Sequence, residues 1–453
     1  MSTDLDRLFS PKSIAVVGAS NKPGKMGNLF VQRLAAGFRG RLHAVNPGEA
    51  VVAGIATHRT VEELPGPVDL LIALVPAKSL VALVEACPKG KVGFLAAVPS
   101  GFAEASDEGA ALQRKLAAVA ATRGIRVLGP NIVGVMNGVL GLNASMMPEL
   151  PPGGVGLSCI TQSGGFGMAL SMYALDHELQ VAKFCDLGNA CDLDAHDVLD
   201  YLGNDADTRV IGLFLESIQD RGAFLHALQA AAAKKPVILT PTGVTEAGRR
   251  ASTAHLGIAA DAISFEGHLP EGVILADTGL NLLNYAKSLM WQRRAAGRRT
   301  AILTGTGGVG AELADLAVKR GLVVPKFSLQ LQERLRRRCN LPHYASVQNP
   351  VDCTPVWWDY PKIYPQILEE LACSGEVDLA IISVTDVAAT LPELASALAA
   401  WATQQLLPSV VYWGARHRDH DNMRIIELAG GPCYGSTIEA VGTAAALASR
   451  DLL

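Results

Sequence analysis

The chain runs to 453 residues, 49% apolar and 18% charged, with 45 glycines and 5% aromatics, a composition that suits an Ala/Val/Leu-rich α/β enzyme and excludes a disordered or fibrous protein. Its 39 basic and 43 acidic side chains leave a net charge of −4, with no basic excess to hold a phosphate backbone, so nucleic acid is excluded as a partner. At ordinary domain size the length allows about three domains, each able to bury its own core.

The amino terminus, Met1-Ser2-Thr3-Asp4-Leu5-Asp6-Arg7, lacks a basic-then-apolar leader, and no apolar run reaches membrane-spanning length. A cytoplasmic protein with no membrane partner is therefore expected. An apolar strand, Ser13-Ile14-Ala15-Val16-Val17, runs into Gly18-Ala19-Ser20, then Gly24-Lys25-Met26-Gly27 and a helix over 29–36. Further strands are expected at 42–47, 68–76, 92–98 and 126–131, with helical spacing over 104–122, which gives β-α-β units and a parallel sheet. A proline-glycine stretch at 147–154 reads as a linker, and a second series follows with strands near 155–161, 181–186, 210–216 and 237–240. A helix-like segment at 280–292 leads to the basic run Arg293-Arg294-Ala295-Ala296-Gly297-Arg298-Arg299, read as flexible, and a third series has strands at 300–304, 379–384 and 409–413. The expected domains are 1–148, 153–293 and 298–453.

Eight cysteines are scattered without CxxC spacing, which argues against a disulfide framework and against zinc. His417 and His420 lie in a run of opposite charges that reads as a solvated turn, so no metal site is expected.

Gly18, Gly24 and Gly27 do not fit G-x-G-x-x-G, and no acidic residue for a ribose is read after the second strand, which ends Val45-Asn46-Pro47. Nicotinamide dinucleotide binding is therefore disfavoured. The loop still offers backbone N–H groups and a helix amino terminus to a phosphate, or is simply a tight turn. Gln162-Ser163-Gly164-Gly165-Phe166-Gly167 and Thr304-Gly305-Thr306-Gly307-Gly308-Val309-Gly310 repeat the same arrangement of strand, glycine loop and helix, and two such loops suggest a shared anion site. Thr245 to Gly257 reads as a small-residue loop bracketed by glycines that carries His255, either as a chemical group or as a packed one. Glu216, at the end of the strand 210–215, is placed to accept Nδ1–H of that histidine and leave Nε2 as a nucleophile, or to serve as a cap or salt-bridge partner.

Taken in order, several motifs resemble those of the nucleoside-diphosphate-forming acyl-CoA synthetases, in particular the α subunits of ADP-forming acetate–CoA ligases, relatives of succinyl-CoA synthetase. They are Val17-Gly18-Ala19-Ser20, Leu128-Gly129-Pro130-Asn131, Gln162-Ser163-Gly164-Gly165, Asp186-Leu187-Gly188-Asn189, Leu215-Glu216, Gly243 to Gly257 and Asn349-Pro350-Val351-Asp352. The resemblance covers nearly the whole chain. It implies an α/β fold with a Rossmann-like CoA-binding domain followed by two flavodoxin-like domains. It also implies CoA contacts at Gly18, Ser20, Gly24, Lys25, Asn46, Pro47, Val75, Pro76, Ser100, Gly101 and Asn131. His255 matches the phosphorylated histidine and Glu216 the glutamate that steadies it; Ser163, Gly164 and Gly165, and Thr306, Gly307 and Gly308, match the phosphate-holding loops.

The reaction so implied joins a small carboxylic acid to CoA with ATP, through an acyl phosphate and a phosphohistidine. ATP, ADP and Mg2+ are expected on an ATP-grasp β subunit, since no segment reads as that domain, and a hetero-oligomer follows. Two departures from the family stand out. Pro241-Thr242-Gly243 replaces Lys-Ser-Gly, and Ala254-His255-Leu256-Gly257 replaces Ser-His-Thr-Gly, removing polar partners for a phosphate. They motivate the alternative of a CoA- or acyl-CoA-binding scaffold or sensor that has lost turnover. Phe166 and Met168 read equally as acyl-pocket lining or as helix core.

Overall fold

Three sheets organise the computed structural model, which describes residues 5–257, 269–354, 356–385, 391–414 and 420–448. His417 and the side chain of His420 lie outside the described residues. The first sheet contains β1 (Ser13–Val17), β2 (Arg41–Val45), β3 (Val51–Val52), β4 (Ile55–His58), β5 (Val68–Ala73), β6 (Val92–Ala97) and β7 (Arg126–Leu128), in the order β3-β4-β2-β1-β5-β6-β7. All its pairings are parallel except that of β3 with β4.

The second sheet contains β8 (Gly134–Asn137), β9 (Leu142–Ser145), β10 (Gly153–Thr161), β11 (Val181–Asp186), β12 (Thr208–Leu215), β13 (Val237–Pro241) and β14 (Val273–Leu275), in the order β14-β13-β12-β10-β11-β8-β9. The third contains β15 (Thr300–Thr304), β16 (Ser346–Val347), β17 (Val351–Asp352), β18 (Leu379–Val384), β19 (Ser409–Trp413) and β20 (Cys433–Tyr434), in the order β16-β17-β15-β18-β19-β20.

One logic recurs in all three. The first parallel strand (β1, β10 or β15) lies inside its sheet, between the next parallel strand (β2, β11 or β17) on one side and β5, β12 or β18 on the other. A crevice opens where the order reverses, at the carboxyl ends of β1 and β5, of β10 and β12, and of β15 and β18, and open α/β sheets bind ligands at such points. Strands that bury both faces read as continuous apolar runs, and β1, β6, β11, β15 and β18 are buried at every position.

The chain divides into two compact units, Met1–Gly279 and Leu280–Asp451. The first two sheets share one unit, and one apolar cluster draws on both, from Phe30 and Leu34 to Leu142, Leu199 and Leu239. These two units differ from the three domains expected from the sequence. The hairpin β8–β9 precedes the proline-glycine stretch but pairs antiparallel into the second sheet through β11, so that stretch is a loop within a unit. The helix Gly279–Trp291, expected to close the second domain, belongs to the second unit, where Lys287 pairs with Glu427 and the Ser288 hydroxyl bonds the Tyr434 hydroxyl at 2.7 Å. The basic run after it is tied down rather than free: Arg299 pairs with Asp378 at 2.8 Å, the Ala295 amide bonds the Leu447 carbonyl at 3.0 Å, and Arg293 bonds the Leu406 carbonyl.

Candidate functional site

The switch point of the second sheet is built from a threonine, a glutamine and two glycines. The Ser163 amide donates to the Thr161 hydroxyl at 2.9 Å, turning the chain sharply out of β10. Ser163 then caps the helix Gly164–Asp176 by accepting from the Phe166 amide. The amides of Gly164 and Gly165 keep no acceptor among the described residues. They are the unmatched donors of a helix amino terminus, where backbone N–H groups and the helix dipole favour an anion.

Gln162, buried between them, joins the two strand ends. Its carbonyl oxygen accepts from the amides of Glu216 at 2.8 Å and Ser217 at 2.9 Å, and its side-chain nitrogen donates to the Ser217 hydroxyl at 3.1 Å. This fixes Glu216 just past β12. Both Glu216 carboxylate oxygens lie 3.0 Å from Nδ1 of His255, with the carboxylate 9% and the imidazole 50% exposed. With Nδ1–H donating to the acid, Nε2 keeps its lone pair, and it has no partner among the described residues.

His255 does not ride on a loop. Residues 246–256 form the helix Glu246–Leu256, with His255 in its last turn. The Thr245 hydroxyl caps it by accepting from the Gly248 amide at 3.1 Å, Glu246 pairs with Arg250 one turn on at 2.8 Å, and Gly257 stops it at φ +67°. Cap, i,i+4 pair and terminal glycine are the start and stop signals of a helix, and they outweigh the small residues that suggested a loop. A Cβ on Gly257 would overlap the Ala103 carbonyl, so the helix end sits directly on the turn after Ser100 and Gly101. That turn is held by Glu104, which accepts from the Gly101 amide and from Asn189, both at 2.6 Å. Burial alone would raise the Glu104 pKa, but Asn189 and the backbone donors outweigh it and hold the acid below its ordinary value.

A cavity of about 600 Å³ opens at this edge. Among the expected residues it is lined by Ser100, Asn131, Gly164, Gly165 and His255, and also by Gln162, Met168 and Asp186. Phe166 stacks on Phe214 with ring centroids 4.3 Å apart and belongs to the core, whereas Met168 faces the cavity. Asp186 was not singled out as a site residue from the sequence. Burial pushes its carboxyl up to about 7, partly opposed by the Val133 and Gly188 amides and by His255.

The other residues expected at CoA cluster at the switch point of the first sheet. Gly18 turns at φ +86° and Gly24 at φ +78°, while exposed Lys25 and Pro76 immediately precede the helices Met26–Gly37 and Ala77–Ala86 without a capping side-chain bond. Asn46, followed by exposed Pro47, donates to the Ala19 carbonyl at 2.6 Å, and Val75 follows β5 half-buried. The structure corrects one reading here: an acidic residue does follow the second strand, at Glu49. Its carboxylate accepts from the Ser20 hydroxyl and the Asn21 amide, both at 2.9 Å, and Asn21 and Ser20 hold it below the usual carboxylate range. The signal was present, two residues beyond Pro47.

In the second unit, Thr304, Gly305, Thr306, Gly307 and Gly308 repeat the hydrogen-bonded turn and glycine pair of the first loop. The Thr306 amide donates to the Thr304 hydroxyl at 3.0 Å, and the helix Gly307–Lys319 begins at once. The Thr306 hydroxyl bonds that of Thr385 at 2.6 Å instead of capping the helix. Among the described residues, no helix is long and apolar enough to cross a membrane and no group of His, Cys, Asp or Glu is placed to hold a metal ion.

A CoA-type α/β sheet followed by ligase-type flavodoxin sheets defines a class, and sequence patterns agree with it. The CoA binding domain pattern matches residues 12–138, and the succinyl-CoA ligase like flavodoxin domain pattern matches residues 152–289. The α subunit of ADP-forming acetate–CoA ligase II of Pyrococcus furiosus is 35% identical over 350 residues, covering 77% of this chain and 76% of that subunit. ADP-forming acetate–CoA ligase II of Archaeoglobus fulgidus is 30% identical over 97% of this chain and 66% of its own length. A solved structure of the dinucleotide forming acetyl-coenzyme A synthetase 1 of Candidatus Korarchaeum cryptofilum, in complex with phosphate and ADP, superimposes with a TM-score of 0.89 at 27% identity, covering 98% of this chain and 96% of that one. The chain belongs to the family of ADP-forming acetate–CoA ligases.

Proposed function

We propose that the chain is the α subunit of an ADP-forming acyl-CoA ligase, which reversibly converts a small carboxylic acid, CoA and ATP into acyl-CoA, ADP and phosphate. The observation that carries this reading is the clasp of Glu216 on Nδ1 of His255 at the rim of a cavity shared with the Gly164 and Gly165 amides. In the acyl-CoA-consuming direction, a phosphate oxygen attacks the thioester carbonyl, the C–S bond breaks, and the phosphate proton ends on the CoA thiol. Nε2 of His255 then attacks the phosphorus of the acyl phosphate and the carboxylate leaves. The phosphoryl group finally passes to ADP.

Each residue has a physical task in that sequence. Ser163 shapes the loop whose Gly164 and Gly165 amides hold phosphoryl oxygens, preorganised for charge that moves among them. Thr306, Gly307 and Gly308 form the corresponding loop of the second unit. Glu216 selects the tautomer and stabilises the imidazolium that forms as Nε2 bonds phosphorus. Gly18, Ser20, Gly24, Lys25, Asn46, Pro47, Val75, Pro76, Ser100, Gly101 and Asn131 are assigned to CoA. ATP, ADP and Mg2+ are assigned to an ATP-grasp β subunit in a hetero-oligomer, as the naming of the Pyrococcus furiosus relative as an α subunit supports.

The test is synthesis. The chain with an ATP-grasp partner, given ATP, magnesium, acetate and CoA, is expected to form acyl-CoA and ADP, and His255→Asn to abolish both. A second reading, a CoA-binding scaffold without turnover, is favoured by the buried apolar Leu256 beside the histidine and by the Thr242 hydroxyl, which turns back to the Leu215 carbonyl at 3.3 Å. Calorimetric CoA binding with no phosphorylation under any partner would establish that alternative.

A further inference from the structure

Asp186 stands at the carboxyl end of β11, 1% exposed, and lines the cavity with Gly164, Gly165 and His255. One carboxyl oxygen accepts from the Val133 amide at 2.7 Å and the other from the Gly188 amide at 3.1 Å, so the group is fixed in place. A Cβ on Gly164 would lie 3.7 Å from Oδ2, which sets the carboxyl against the first residue of the helix with unmatched amides. Segments 129–133 and 161–168 bring no ionisable side chain to it. The titratable groups that act on it are His255 and Glu216, with Cys185 adjacent on the same strand.

An ionised Asp186 would set a second carboxylate charge, beside that of Glu216, against any anion in the loop. A neutral carboxyl does the opposite, because its O–H is a donor. Burial already favours the neutral form near neutrality, with the carboxyl pushed up to about 7. We propose that Asp186, as the neutral acid, donates a hydrogen bond to a phosphoryl oxygen held on the Gly164 and Gly165 amides, so that this loop takes up a phosphate-type dianion together with one proton. The assignment rests on the reading of the His255 site as a phosphoryl site. It makes Asp186 a member of the phosphate site rather than a structural end to its strand.

Sulfate is the probe, because it keeps both negative charges over the range where phosphate itself titrates. Calorimetric titration of the purified chain is expected to show sulfate affinity falling about tenfold for each pH unit above about pH 7, with about one proton taken up when heats are compared in buffers of different ionisation enthalpy. Asp186→Asn, whose amide donates at every pH, is expected to bind with a flat profile and no proton uptake; His255→Gln is expected to keep the wild-type slope. Thermal unfolding of Asp186→Asn and of Asp186→Ser reports whether either variant folds. In the wild type alone, a neutral-carboxyl infrared band that grows on adding sulfate reads the same proton.

A wild-type slope in Asp186→Asn, a slope lost in His255→Gln, or no saturable sulfate binding by the wild type overturns the assignment. Phosphorylation of His255 by ATP and a partner is scored separately. Label on His255 with a flat wild-type sulfate profile removes the role of Asp186 and leaves the ligase. Proton-linked sulfate binding on a chain that never takes label removes the ligase and leaves the anion site.

Discussion

The same turn is made twice, after β10 and after β15, and what differs is the company each keeps. In both, a strand-end threonine hydroxyl accepts from the amide two residues on, and a glycine pair opens the helix. In both, an aspartate ends the neighbouring strand and accepts from the amide two residues further along, Asp186 from Gly188 and Asp352 from Thr354. A Cβ on Gly307 would lie 2.9 Å from Asp352, as one on Gly164 would lie 3.7 Å from Asp186. The middle position separates them. Gln162 reaches across to the end of β12 and places Glu216, whereas Gly305 leaves room for Tyr360, whose hydroxyl bonds the Thr354 carbonyl at 2.7 Å. A helix amino terminus offers anion binding anywhere in the fold; among the described residues, the first copy alone sets a histidine against a buried carboxylate beside the loop.

That contrast can be broken from its reactive end downwards. His255→Asn removes the nucleophile and should lower turnover at least about 10³-fold with CoA binding unchanged, read from acyl-CoA formation and calorimetry. Glu216→Gln keeps the shape but loses the acid that sets the tautomer, and a loss of roughly 10²- to 10⁴-fold in kcat is expected; a kcat within a few-fold of wild type would leave Glu216 as packing. Gly257→Ala asks for a left-handed φ and a Cβ where the Ala103 carbonyl stands, so the His255 helix must shift, at a cost of about 1–3 kcal/mol seen in denaturant unfolding.

Gln162→Ala leaves the buried amides of Glu216 and Ser217 without their acceptor and should cost about 1–3 kcal/mol while lowering turnover. Gly308→Ala in the second copy, where a Cβ meets nothing within 4 Å, should leave stability unchanged.

A further expected effect is on pH. Native Asp186 keeps its proton up to about pH 7, whereas its ordinary value is 3.8, so between those values the folded state binds the extra proton and stability falls as pH rises. Asp186→Asn removes this, and its melting temperature relative to wild type should climb between about pH 4 and about pH 7. A constant difference across that window contradicts the buried, titrating carboxyl.

The strands and their glycine turns were legible because strands buried on both faces leave unbroken apolar runs and the turns need glycine. β1, β6, β15 and β18 could be read in this way. So could the pairing of Glu216 with His255, which follows from one acid at a strand end and one histidine after the next strand. The helix around His255 was missed because Ala, Ser and Thr leave almost no apolar face to read, with only Ser252 and Leu256 buried. The two compact units divide the chain differently from the three expected domains, for a different reason. Proline-glycine and basic runs mark loops, but whether a loop separates units depends on pairing across the sheet, as with β8 on β11. Asp186 looked like a motif letter because burial, which makes its carboxyl distinctive, is a property of the folded neighbours.

The most direct test of the account is the site and isomer of the phosphoryl group. The chain is phosphorylated with ATP and an ATP-grasp partner, peptides are mapped by mass spectrometry, and the isomer is read by phosphorus NMR. The geometry of Glu216 on Nδ1 predicts phosphate on Nε2 of His255 and its loss in Glu216→Gln. Phosphate on Nδ1, or on any other residue, would contradict the assignment of His255 and Glu216 as carrier and clasp.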